Sequence, residues 1–179
     1  MMGRDAVAAR QHPTTREDDL SRVYTEGIIA GLLGAAAIAV WFLIVDTING
    51  RPLYTPSLLG TALSNLLFPG RAGPDNPAAP SISVEMVFLF TWVHGLVFAA
   101  IGGIAARLLA FAEHTANVAF GVVLLFVIFE FGFIAASTIA AEQVVSSIAW
   151  PAVLVGNMLA AGAMGAYFWR RHPNLRIEP

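Results

Sequence analysis

The chain has 179 residues, of which 57% are hydrophobic and 12% charged, and its mean hydropathy is +0.70. Soluble domains average about 45–50% apolar and about 25% charged residues, so a soluble fold is excluded and a single bilayer-embedded domain is expected. A net charge of −2 without a basic cluster argues against nucleic acid as a partner, and the lack of cysteine excludes disulfides, thiolate metal sites and cysteine nucleophiles.

All ten basic residues are arginine. The segment from Met1 to Arg22 is polar and charged, so no secretory signal is expected there. Thr14 and Thr15 followed by "REDD" have the form of a capping box, which predicts a helix starting near Arg16 and running on into the first apolar stretch. That stretch, Gly27 to Val45, carries no charge at all. Next, "TPSLLGTALSNLLF" at 55–68 offers Thr55 as N-cap and Pro56 at the first helical position. Leu58, Leu59, Ala62, Leu63, Leu66 and Leu67 share one face of that segment and Thr61, Ser64 and Asn65 the other, the pattern of a short helix lying in the membrane interface. "FPGRAGPDNPAAPS" then makes an irregular return, either a plain connector or a docking surface.

Ser83 and Glu85 start the second apolar stretch, in which Met86 to Ala106 has His94 as its single ionisable group. The third, Thr115 to Ala141, is interrupted by Glu130 alone; the fourth, Gln143 to Trp169, is uncharged throughout and contains Pro151. A crossing takes about 20 apolar residues at about 1.5 Å each, so four transmembrane helices are predicted, over about 24–48, 84–110, 115–141 and 144–169. The expected fold is an all-α integral membrane four-helix bundle. Eight arginines (4, 10, 16, 22, 107, 170, 171 and 176) fall on one side and Arg51 and Arg71 on the other, which places both termini in the cytoplasm. Asp46, Asp75, Glu85 and Glu142 would then form an acidic outer rim, and Trp41, Trp92, Trp150 and Trp169 include interface anchors.

Small residues predict which helices approach closely, because lipid gives leucine little reason to hide. The first span has Gly27, Gly31 and Gly34; the second has Gly95, Ala99 and Gly103; the fourth has Asn157, Ala161 and Gly165. The third has phenylalanines instead and should face lipid or another subunit. An offset of 63 also aligns His94 with Asn157 and Arg107 with Arg170, a faint two-plus-two repeat.

His94 lies roughly 12 Å from the outer edge and Glu130 roughly 16 Å from it, within about one helical turn of each other in depth. Thr91 is one turn outward from His94, and Ser137 two turns outward from Glu130. A lone carboxylate at this depth is costly, so it should be protonated, paired or reached by water. Three readings follow. The pair is a structural link between spans two and three; or it joins the acidic rim in a half-channel for protons or a small cation; or His94, among Phe88, Phe90, Trp92 and Phe98, is an axial ligand to a haem or chlorophyll-type pigment. No GxSxG, HExxH or phosphate loop is present, and neither catalysis nor a metal site is expected.

"GIIAGLLGAAA" in the first span and "HGLVFAAIGG" in the second resemble small uncharacterised four-helix proteins of bacterial inner membranes. The resemblance implies the fold class and that membrane, and brings no activity or functional residue with it. The expected role is a non-catalytic accessory or assembly subunit of a larger membrane complex, respiratory or photosynthetic among the candidates. Its partners would be other integral membrane subunits and bound lipids; the alternatives are the transporter and pigment-binding readings.

Overall fold

A computed structural model describes residues 12–68, 82–111, 118–139 and 150–172. Among these residues there are five helices and no strand: α1 (His12–Ile48), α2 (Tyr54–Leu67), α3 (Val84–Phe111), α4 (Val118–Ile139) and α5 (Trp150–Arg171). Three of them carry stretches long and apolar enough to cross a bilayer, Leu20–Ile48, Val84–Ala110 and Trp150–Arg171, which marks the chain as a membrane protein. The region expected to be a further span is the 22-residue helix α4.

Helix α1 begins at His12, earlier than the capping signal implied, so Thr14 and Thr15 lie inside its first turn. Ser83 behaves as expected, its Oγ accepting the Met86 N–H at 3.4 Å at the start of α3. Residues 69–81, 112–117 and 140–149 lie outside the described set, and with them Arg71, Asp75, His114 and Glu142.

Helix α1 is the organiser. It packs along α3 and along α5, while α2 lies on α3 and α4 lies on α5. Both long contacts of α1 are antiparallel: Gly27 faces Gly102 to Ala106 and Gly31 faces Phe98 and Ala99, while Gly34 faces Met164 and Trp41 faces Gly156. The reason for the α1–α3 fit is the absence of side chains at the crossing. A Cβ on Gly31 would run into the Phe98 carbonyl, and one on Gly102 would lie 2.7 Å from the Gly31 nitrogen. Gly102, absent from the expected stripe, is therefore the central α3 residue of the seam. Gly103 lies in the seam with its Cα beneath Gly27, whereas Gly95 sits at the margin, where a Cβ would meet nothing nearer than Leu32 at 4.0 Å.

Two apolar clusters fill the space between helices. One joins Ala35, Phe98, Leu125, Phe129, Ala160, Ala161 and Met164 and so ties α1, α3, α4 and α5 together. The second, Ala30, Ala106 and Phe168, closes the far end of α1, α3 and α5. Met164 is the largest side chain with no exposure, filling the gap left by Gly34. Trp41 also belongs to the packing: its Nε1 donates to the Ala152 carbonyl at 2.8 Å, holding α1 to α5. Trp92, by contrast, is 69% exposed.

Helix α2 packs through its small and hydroxyl-bearing residues, with Leu58, Leu59 and Leu63 half-buried beside them and Thr61 and Asn65 exposed. Thr55, Ser57 and Gly60 are its buried residues, and a Cβ on Gly60 would strike the Met86 backbone of α3. Leu66 and Leu67 point outward. Small and hydroxyl-bearing residues allow backbones to approach, and in an apolar solvent the leucines are the side that can face out.

Candidate functional site

Three polar groupings occur within the described helices, and the central one contains the residues singled out in the sequence. His94 sits on α3 with Phe90 and Phe98 one turn to either side, the i, i+4 spacing that stacks side chains on one helix face. Ring centroids are 5.1 Å apart for Phe90–His94 and 4.6 Å for His94–Phe98, and Phe98 continues the column to Phe129 of α4 at 4.9 Å. The imidazole makes a backbone hydrogen bond to Ala35 of α1. Its Nε2 is buried and has no hydrogen-bond partner among the described residues.

Glu130 finds a different partner. Its Oε1 accepts a hydrogen bond at 3.1 Å from Nδ2 of Asn157, a buried residue of α5. Neither a hydrogen bond nor an ion pair joins it to His94 among the described contacts. The link expected between the second and third apolar helices is thus replaced by two separate ones. His94 engages α1, Glu130 engages α5, and the Phe98–Phe129 stack lies between. The physical reason lies in neighbour choice: α4 packs on α5, while α3 is occupied by α1 and α2. The offset that aligned His94 with Asn157 accordingly pairs two residues with unlike surroundings.

Thr91 is exposed and spends its hydroxyl within its own helix, Oγ1 donating to the Val87 carbonyl at 2.7 Å. The Ser137 side chain lies outside the described residues. Ala161 and Gly165 are buried on α5 and Ala99 faces Gly31, so these packing residues do line helix contacts.

A second grouping joins α1 to α2. Asp46 is only 4% exposed, and both of its carboxylate oxygens are used: Oδ2 accepts the Thr55 N–H and Oδ1 the Thr55 hydroxyl, each at 2.7 Å. Thr55 is therefore not the cap of α2. That position falls to Leu53, in the left-handed region at φ 65°, and the orphan amide at the helix start is met by a carboxylate from the preceding helix. Ser57 extends the grouping by accepting the Ser83 N–H at 2.9 Å. Since Asp46 is enclosed, it cannot serve an open acidic rim; Glu85 is the described member of that set that is exposed. The sequence hint was present in "DTINGRPLYT", an acid spaced by a glycine–proline turn from a threonine.

At the opposite end of α1, Glu26 Oε2 lies 3.2 Å from His172 Nε2 and Oε1 lies 3.9 Å from Arg22 Nε. Glu26 is the last charge before the first apolar run, and His172 reads from sequence as a tail residue. Nothing local pairs them; the antiparallel packing of α5 on α1 does.

Chemically these sites hold and orient helices. Axial ligation of a porphyrin iron through His94 would need an open coordination position at Nε2. That nitrogen is buried, with the Phe90 and Phe98 rings against the faces of the imidazole. Among the described residues no group of three histidine, aspartate or glutamate side chains is arranged to hold a metal ion. No protein-family model matches the chain, and no curated protein or solved structure is significantly similar to it.

Proposed function

We propose that the chain is a four-pass bacterial inner-membrane protein with both termini in the cytoplasm, acting as a non-catalytic accessory or assembly subunit of a larger membrane complex. Helix α4 completes the set of spans: 22 residues of helix extend about 33 Å, enough for the hydrocarbon layer. The arginine asymmetry supports the orientation, and the outward leucines of α2 support its place in the interface.

The observation that carries the assembly reading is the face of α4. Among its described side chains this helix meets the rest of the chain through Leu125, Phe126, Phe129 and Glu130, while Val123, Leu124, Ile128, Phe131 and Ile134 all point away, Phe131 with 68% of its surface exposed. A helix held on one narrow strip and bulky elsewhere is suited to packing against a further transmembrane segment. Purification in mild detergent should bring the chain out with other polypeptides, at a mass well above its own 19.0 kDa. A clean monomer or homodimer by native mass spectrometry overturns this reading. The transport alternative has less to rest on, because Glu130 accepts from Asn157 rather than from His94 among the described contacts.

A further inference from the structure

We propose that the end of the α1–α3–α5 core marked by Glu26 and His172 binds the phosphate headgroup of anionic phospholipids. The C-terminal ends of α3 and α5 converge there on α1. Gly27 of α1 meets Ala106 of α3, Ala30 and Ala106 pack with Phe168 of α5, and Glu26 lies against His172. Folding thereby collects Arg22, Arg170 and Arg171 at one level, beside Arg107 of α3, which has a contact of its own.

Glu26, the carboxylate whose side chain is described at that level, is already engaged, and Glu17, Asp18 and Asp19 precede Arg22 on α1. Glu26 is 18% exposed at its side chain and lies between His172 and Arg22. Arg22 keeps 80% of its side chain exposed despite that contact, and Arg170 and Arg171 are exposed as well. Arg171 lies over the Tyr167 ring at 5.7 Å, a stacking that leaves the guanidinium's N–H edge for another acceptor. Part of this charge compensates the C-terminus of α5, whose last turn carries Arg170 and Arg171. That role accounts for neither Arg22, which lies on another helix, nor the exposed aromatic rings of Tyr24 and Trp169 at the same level. Guanidinium groups beside exposed tyrosine and tryptophan are the chemistry of the headgroup layer, where a phosphodiester accepts bidentate hydrogen bonds and the rings sit at the water boundary. At the opposite end the described residues hold one arginine, Arg51, with the exposed carboxylate of Glu85 on α3.

The inference rests on the membrane reading and not on the assembly reading, because a chain without partner subunits would bind the same lipids. The test is native mass spectrometry of the detergent-solubilised full chain titrated with phosphatidylglycerol, phosphatidylcholine or soluble glycerol phosphate. Wild type should retain phosphatidylglycerol in preference to phosphatidylcholine, and glycerol phosphate should not compete. Each arginine replaced in Arg22→Gln, Arg170→Gln and Arg171→Gln should lower apparent association about fivefold. Arg51→Gln should leave it unchanged. As a check that needs no variant, the wild-type preference should vanish in about 1 M salt, where the screening length is about 3 Å. Equal retention of the two lipids, loss on Arg51→Gln, or competition by glycerol phosphate each overturns the proposal.

Discussion

The seam between α1 and α3 and the outer face of α4 are made from similarly apolar sequence, yet one is closed to the point of backbone contact and the other is open. At the seam, Gly27, Gly31 and Gly102 let carbonyl groups and α-carbons meet with no side chain between them. On α4, Gly121 and Gly132 have nothing within 4 Å, and phenylalanine, valine and isoleucine project outward. The difference teaches that in a lipid-facing protein hydropathy does not choose the buried side. Side-chain volume and the few polar contacts choose it, since lipid tails are as apolar as leucine.

Substitution at the two kinds of glycine should break this comparison if it is wrong. Gly102→Leu or Gly31→Leu forces a side chain into backbone and should cost about 3 kcal/mol or more, seen as a large fall in thermal midpoint in detergent. A midpoint unchanged from wild type would show that the helices do not cross there. Next in size is the polar tether of α4. Asn157→Leu removes the donor to Glu130 Oε1 and should cost about 1–3 kcal/mol, while Glu130→Gln, which keeps an acceptor, should cost less. The same ordering measured by protease release of α4 would sharpen the view that the Asn157 bond, together with Leu125, Phe126 and Phe129, holds this helix on α5 and the core. Trp41→Phe keeps the ring against Gly156 but loses the bond to the Ala152 carbonyl, for an expected loss of about 1 kcal/mol.

The smallest stability effects belong to the open face. Gly132→Ala meets no neighbour and gains helix propensity, so it should stabilise by up to about 1 kcal/mol. Phe131→Ala should change the isolated chain by no more than about 0.5 kcal/mol, yet reduce recovery of any co-purifying subunit. Loss of stability without loss of partner would reverse the roles assigned to the two surfaces.

The helices themselves were legible from residue order. Uncharged runs of sufficient length, the Ser83 cap and the i, i+4 spacing of Phe90, His94 and Phe98 are local properties, and local hydrogen bonding realises them whatever surrounds the chain. Gly27, Gly31 and Gly34 were equally readable as contact positions, because a glycine run in an apolar helix has few other uses. Which residues would meet across helices was a different matter. His94 and Glu130 were matched in depth correctly enough to invite pairing, but depth along a helix says nothing about rotation around it. The neighbour order α2–α3–α1–α5–α4 gave Glu130 to Asn157 and His94 to Ala35, moved the centre of the seam to Gly102, and brought Glu26 to His172. Asp46 meets the Thr55 amide at the second residue of α2, just after the left-handed Leu53 at which the chain turns back. Residue order decides what a segment becomes because those bonds close within four residues; the packing of backbone on backbone decides who its neighbours are, and that sum is taken over the whole fold.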